Sequence, residues 1–341
     1  MSPAPTVLES DSRKRLVLMA GRAHPELAAD IARQLGVALS DPKITDFASG
    51  EIRCRFDESV RGADVFILQT HAGAEHQRGP GGLGVNDAIM EQLILIDAAK
   101  RASAKRITAV CPYFGYGRQD RKSTGREPIS AKLLADLFAT AGCDRIMSID
   151  LHTGQIQGFF DGPWDHLLAW PLFIGYLNEH APKDVVMVAA DAGRVKLAEL
   201  YSAHLPQSDL AIVHKRRDKD EAHKVSAQEI VGEVAGRTCV IAEDMIDTGG
   251  TICATADLLL AKGAAEVWAL ATHGLFSDPA TDRLKNSAIA RVIVTDSVPI
   301  PTDKRHDKLD VVPAAKMLAD AINAVFEDTS VSDIFGGENQ Y

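Results

Sequence analysis

VIAEDMIDTGGTI, residues 240–252, runs an apolar stem into three acids, Glu243, Asp244 and Asp247, and then into Thr248-Gly249-Gly250-Thr251 and a helical pattern. An apolar strand, a tight glycine turn and a helix start form a cradle for an anion, because the first helical amides are unpaired and the positive end of the helix dipole faces the turn. Carboxylates beside such a cradle call for a second role. A sugar phosphate offers one: carboxylates accept from vicinal hydroxyls, while amides and threonine hydroxyls donate to phosphate. On this reading the backbone of Asp247 to Thr251 holds a 5-phosphate, and Glu243 and Asp244 face ribose hydroxyls, directly or through a metal. The same spacing fits a helix capped by Asp247 or Thr248 with two solvated acids before it, and spacing alone leaves both readings open.

Working outward, short apolar runs rich in β-branched residues recur, each followed by a helical pattern. RLVLMAG (15–21), DVFILQT (64–70) and RITAVCPY (106–113) do so in the first half, and DVVMVAA (184–190), RTCVIAE (237–243) and EVWALATHG (266–274) in the second. Strands alternating with helices predict parallel α/β sheets with ligands at the carboxyl ends of the strands. DVFILQTHAG (64–73) and DVVMVAADAG (184–193) share their Asp-Val start and Ala-Gly end, which suggests two similar halves. Pro163 and Pro171 interrupt the pattern in GPWDHLLAWP, so the break is placed near residue 163.

The chain has 341 residues, 46% hydrophobic and 25% charged, enough for two cores. A formal charge of −10 argues against a nucleic-acid backbone partner, which needs many lysines and arginines, but not against small phosphorylated ligands. No apolar run approaches bilayer length and MSPAPTVLESDSRKR lacks an apolar signal core, so no membrane partner and a cytoplasmic location are expected. Five cysteines, Cys54, Cys111, Cys143, Cys239 and Cys253, stand at no metal-ligand spacing and are expected as reduced thiols. AGAEHQRGPGGLGV (72–85) and HKRRDKDEAHK (214–224) have no apolar period and are expected as mobile loops.

The acid-Asp-x-x-Asp-Thr-Gly-Gly-Thr motif resembles the ribose-phosphate loop of type I phosphoribosyltransferase folds. FASGEI (47–52), SVRGADVF (59–66), KRASAKRITAVCPYFGYGRQDRK (100–122), REPISAKL (126–133), DLHTGQIQGFF (150–160) and KRR (215–217) narrow the resemblance to the ribose-phosphate diphosphokinase, or phosphoribosyl pyrophosphate (PRPP) synthetase, family. It extends from about Arg15 to Phe335.

This resemblance implies two tandem phosphoribosyltransferase-like domains, each a mainly parallel sheet flanked by helices. They are expected at residues 15–163 and 164–335, between an extension to residue 14 and a tail from 336, with the last helix returning to the first domain. It implies transfer of the β,γ-diphosphoryl group of ATP to the 1-hydroxyl of ribose 5-phosphate, with magnesium as cofactor. By the same resemblance Arg118, Gln119 and Asp120 contact ATP, as do Phe47, Ser49 and Glu51 from across a subunit contact. His152, itself an ATP contact, and Asp191 carry the metal, partly through water, and Asp191-Ala192-Gly193-Arg194 forms the pyrophosphate loop. Lys215 and Arg217 are the catalytic cations, and Glu243, Asp244 and Asp247 to Thr251 hold the ribose phosphate. The chain departs from the family pattern at Ser49, at Ala189-Ala190, at Glu243 and in the longer segment 72–85. A homo-oligomer, a hexamer or its dimeric building block, is expected. The rival readings are a PRPP-consuming phosphoribosyltransferase, which leaves GRQDR and KRR unexplained, and a non-catalytic regulatory subunit of a synthetase assembly.

Overall fold

A computed structural model describes residues 14–72, 83–215 and 228–335. The first half begins with β1 (Leu16–Ala20), α1 (Pro25–Leu35), β2 (Leu39–Ser40) and a small antiparallel hairpin of β3 (Thr45–Asp46) and β4 (Ile52–Arg53). β5 (Asp64–Leu68), α2 (Val85–Arg101), β6 (Arg106–Cys111), α3 (Ser130–Ala141), β7 (Arg145–Ile149) and β8 (Trp164–Leu167) complete it. Its sheet has six strands in the order β2-β1-β5-β6-β7-β8, paired in parallel.

The second half starts with α4 (Trp170–His180), β9 (Val185–Ala189), α5 (Val195–His204), β10 (Asp209–Lys215) and β11 (Gln228–Val231). β12 (Thr238–Ile246), α6 (Gly250–Ala261), β13 (Glu266–Gly274), α7 (Ala280–Asn286), β14 (Arg291–Thr295), β15 (Leu309–Val312) and α8 (Ala315–Phe326) follow. Seven strands lie in the order β11-β10-β9-β12-β13-β14-β15, parallel except for the β10–β11 pair.

β5 and β9 are buried at every residue, as strands covered by helices on both faces must be, and their unbroken apolar runs reflect it. The covering is shared. Leu18, Phe66 and Met147 of the first sheet and Met187, Val240 and Leu270 of the second belong to one apolar cluster, filled from α1, α4, α5 and α8. α2 and α3 cover the far face of the first sheet, and α6 and α7 that of the second. Among the described residues α8, the last α-helix, packs against α1, the first.

Several expectations change. Trp164–Leu167 follows the expected break at 163 yet pairs with β7, so the first sheet extends to Leu167. Pro163 merely precedes that strand, and Pro171 sits in the first turn of α4, where a missing amide hydrogen leaves no partner unsatisfied. The echo between residues 64–73 and 184–193 joins β5 to β9, which hold different places: by strand order β9 corresponds to β1, and β12 to β5. The duplication lies in the topology, not in that echo. Of the charged run, His214 and Lys215 end β10, while Arg217 and the rest through residue 227 lie outside the described residues. So do residues 1–13, 73–82 and 336–341, on which the extension, most of the glycine-rich segment and the tail fall. All five cysteines are free thiols, with Cys111, Cys143 and Cys239 buried. Among the described residues no helix is long and apolar enough to cross a membrane.

Two histidines are wholly enclosed. His71 Nδ1 accepts from the Gly115 amide at 3.1 Å while its Nε2–H donates to Gln92 at 2.7 Å. His273 Nε2–H donates to the carbonyls of Ile149 and Asp150, both at 3.1 Å. Burial, the largest cause, pushes each down to about 4 from the ordinary 6.5.

Between those values the unfolded chain binds more protons than the folded one, so stability falls as pH falls through the window. Each histidine is expected to cost roughly 2 kcal/mol between about pH 7.5 and about pH 5. Urea unfolding of wild type and of a His71→Asn variant at both pH values isolates one share: on going to the lower pH the variant is expected to lose about 2 kcal/mol less than wild type, and an equal change in the two proteins contradicts it. In α8, Leu318 is fully buried in the shared cluster, so Leu318→Ala is expected to lose about 2–5 kcal/mol. Lys316→Ala, on the exposed face of the same helix, is expected to change stability by less than about 0.5 kcal/mol in the same unfolding experiment.

Candidate active site

The carboxyl ends of both sheets meet in one cleft of about 260 Å³, lined by Arg118, His152, Asp191, Arg194 and residues 243–252. It lies at the switch point of the second sheet, between β9 and β12, where neighbouring strands send their connections to opposite faces. β12 carries Glu243 and Asp244 at its end, and the turn Asp247-Thr248-Gly249 leads into α6. Gly249 has φ 72°, the left-handed region that favours glycine, and Arg283 holds the turn from outside by donating to the Thr248 carbonyl at 3.0 Å. β9 delivers Asp191, whose Oδ1 accepts from the Gly193 amide at 2.8 Å and shapes the small-residue turn that ends in Arg194.

The first half supplies two groups. Arg118, in the short turn Gly117–Gln119 after β6, donates through Nη1 to Asp247 Oδ2 at 2.7 Å. His152, three residues past the end of β7, is hydrogen-bonded through Nδ1 to Asp244 Oδ2 at 2.6 Å. Arg194 binds both acids, Nε to Glu243 at 2.8 Å and Nη2 to Asp244 at 2.6 Å.

The two neighbouring acids are driven apart. Asp244 is only 4% exposed, and burial alone raises a carboxyl, but the hydrogen bond from His152 and the charge of Arg194 outweigh it and hold Asp244 below its ordinary value. Burial pushes Glu243 up to about 7, against the pull of Arg194 and helped by Asp244. Asp244 is therefore the fixed negative charge of the cleft and Glu243 the group that takes a proton first. Asp247 is also lowered: burial is opposed by hydrogen bonds from Ser277 and Arg118.

The structure thus brings together Arg118, His152, Asp191 to Arg194, Glu243, Asp244 and Asp247 to Thr251. Gln119 lies beside them, lining a second cavity of about 370 Å³ with Tyr113, Phe276 and Lys304, of which Arg118 and Asp247 form the shared wall. Asp120 faces inward, accepting from Thr153 at 2.7 Å and Gln155 at 3.1 Å, so its carboxylate braces the turn after His152. Phe47, Ser49 and Glu51 stand elsewhere, on the exposed β3–β4 hairpin; Phe47 is 54% exposed and Ser49 donates to Glu51 at 2.7 Å. Lys215 ends β10 opposite Gln228, and Arg217 lies outside the described residues. Sequence reading missed Arg283, because a lone arginine in a surface helix carries no signal for the turn it supports.

Comparison with known proteins identifies the family. The model for the N-terminal domain of ribose phosphate pyrophosphokinase matches residues 16–142, and that for the phosphoribosyl synthetase-associated domain matches residues 224–336. Ribose-phosphate pyrophosphokinase of Streptomyces avermitilis is 51% identical over 331 residues, covering 97% of this chain and 99% of that protein. The protein of the same name from Mycobacterium tuberculosis strain H37Rv is 51% identical over 330 residues, covering 96% and 98%. The crystal structure of phosphoribosylpyrophosphate synthetase from Mycobacterium smegmatis superposes with a TM-score of 0.84 at 52% identity, covering 92% of this chain and all of that one. With likeness of about half the residues over nearly the whole chain, the chain belongs to the ribose-phosphate pyrophosphokinase family.

Proposed function

We propose that this chain makes 5-phosphoribosyl 1-pyrophosphate from ATP and ribose 5-phosphate. The observation that supports the reading most is the meeting of Arg118 and His152 from one half with Asp244 and Asp247 from the other at 2.6–2.7 Å, an arrangement suited to a triphosphate beside a sugar phosphate. The 1-hydroxyl oxygen of ribose 5-phosphate forms a bond to the β-phosphorus of ATP. The bond from that phosphorus to the α,β-bridging oxygen breaks, AMP leaves with that oxygen, and the hydroxyl proton goes to solvent.

In this reaction the turn Asp247 to Thr251 holds the 5-phosphate with its amides, and Glu243 and Asp244 accept from the ribose hydroxyls. Such double anchoring turns an encounter of two ligands into an oriented one. Arg118 and Gln119 take the nucleotide and Asp191 to Arg194 the diphosphate, while Lys215 and Arg217 act on charge in the transition state. Asp120 braces the turn that carries His152. Phe47, Ser49 and Glu51, exposed on their hairpin, reach the nucleotide of a second copy, which makes the working form a homo-oligomer, a hexamer or its dimeric unit. The two domains divide after Leu167, and the protein works in the cytoplasm.

Among the described residues no three His, Cys, Asp or Glu side chains gather as a metal cage. Magnesium fits nonetheless, because it keeps waters and phosphate oxygens and takes only one or two protein groups. His152 and Asp191, on the same cleft, are the pair that would hold it. When bound, the ion neutralises charge on the transferred diphosphate.

Phosphorus NMR of the protein with ATP, magnesium and ribose 5-phosphate is expected to show AMP and the anomeric diphosphate of PRPP. Asp244→Asn keeps the shape but removes the fixed charge, and is expected to lower kcat/KM for ribose 5-phosphate roughly 100-fold. Wild-type kinetics from that variant remove Asp244 from the ribose site. Folded protein that gives no AMP favours the non-catalytic subunit instead.

A further inference from the structure

The end of β7 is held from every side before it delivers His152. The Ile149 amide donates to Pro112 at 3.3 Å, the Asp150 amide to Leu167 at 2.9 Å and the Leu151 amide to His166 Nε2 at 2.8 Å, all within the first half. Three further hydrogen bonds come from the second half, from two adjacent residues of β13. Thr272 donates its hydroxyl to Asp150 Oδ2 at 2.5 Å, and His273 donates Nε2–H to the Ile149 and Asp150 carbonyls. The same Asp150 oxygen accepts from the Ala169 amide at 3.1 Å, just where the chain passes from β8 to α4.

These groups are interior. Asp150 is 6% exposed, Thr272 2% and His273 1%, so each polar atom needs a partner inside the protein. The tautomer of His273 follows: with carbonyls at Nε2, that nitrogen carries the hydrogen, and Nδ1 accepts from the Ser297 hydroxyl at 2.8 Å. Asp150 also has φ 33°, a left-handed backbone that costs energy for a residue with a side chain. The bend turns the chain out of the strand and into the cleft, and the carboxylate that holds it there is tied to the other half of the protein.

The register of the second sheet gives this tie its consequence. β13 lies beside β12, with Ala271 opposite Glu243 and His273 opposite Met245, so Thr272 stands at the position opposite Asp244 and His273 one place beyond it. The strand that grips Ile149 and Asp150 is thus bonded to the strand that presents Asp244 to His152.

We propose that Asp150 and Thr272 are positioning residues: their hydrogen bond across the two halves sets the His152–Asp244 contact and, through it, the rate of diphosphoryl transfer. The rate part rests on the activity proposed above; the contact part does not. Neither side chain touches substrate. A displacement of about 1 Å at an oriented site costs up to about 100-fold in rate, so a strut of this kind is read in kcat.

The experiment compares Thr272→Val, which keeps the volume and the β-branch but removes the hydroxyl, with Thr272→Ser, which restores it. Thr272→Val is expected to lower kcat roughly 10- to 100-fold with the KM for either substrate moved less than about 3-fold, and Thr272→Ser to lie within about 3-fold of wild type. In a crystal structure of Thr272→Val the His152–Asp244 distance is expected to exceed about 3.2 Å. If Thr272→Val does not fold, Thr272→Ala removes the same hydroxyl and is read the same way. Unchanged kcat, or a loss that serine does not restore, overturns the proposal. If the wild type makes no PRPP, the functional reading fails alone, and the positioning role is judged by the distance: a contact kept at its wild-type length overturns it too.

Discussion

Asp244 is a buried charge, and the cleft is arranged around the need to keep it one. A carboxylate almost wholly removed from water is costly unless opposite charge and hydrogen bonds replace the lost solvent. Here Arg194 and His152 do so, at 2.6 Å each, and they come from different parts of the fold. Arg194 arrives on the turn after β9, beside β12 in the same sheet, whereas His152 arrives from the other half. The condition that keeps Asp244 ionised therefore also fixes how the halves stand to one another at the cleft. Glu243, with only part of Arg194, has no comparable support, and its rise to about 7 shows how far a neighbour drifts without it.

That arrangement depends on layers further away. A parallel sheet must be covered on both faces, and two such sheets in one chain economise by sharing the helices between them. With α1, α4, α5 and α8 common to both, the sheets cannot swing freely, and their strand ends are held side by side. Hydrogen bonds at the rim complete the registration: Thr70 donates to the Ser297 carbonyl at 2.8 Å, and His24 bonds the Asp296 carbonyl at 2.8 Å. Apolar burial brings the halves together without direction; these few polar contacts choose the alignment.

The sequence made the loops legible and the alliances between them illegible. EDMIDTGGT can be read because its chemistry is local: strand, glycine turn and helix start lie within thirteen residues, and Gly249 adopts the left-handed backbone the turn needs. Alternation of strands and helices gave the fold class for a similar reason. The bond from His152 to Asp244 spans 92 positions and that from Arg118 to Asp247 spans 129, and no spacing rule reaches so far. Pro163 misled because a proline before an edge strand looks the same as one in a linker. Asp120, beside Arg118 and Gln119 in one exposed-looking loop, gave no sign that its carboxylate turns inward, because one residue of sequence separates a ligand-facing side chain from a bracing one.

Among the described residues, the two arginines of the cleft are already paired, Arg118 with Asp247 and Arg194 with Glu243 and Asp244, and this bears on what the site accepts. An anion that takes an arginine away from its carboxylate leaves that carboxylate with less compensation, and for a buried group such as Asp244 the penalty is about 3–5 kcal/mol. A bare phosphate offers nothing in return. A sugar phosphate does, because its hydroxyls donate to the carboxylates while its phosphate draws on the amides of the glycine turn, which are not in competition with them. On the proposed activity, the acids that first look out of place beside a phosphate cradle are thus a source of discrimination: they penalise ligands that carry charge alone and favour those that bring charge and hydroxyls on one frame.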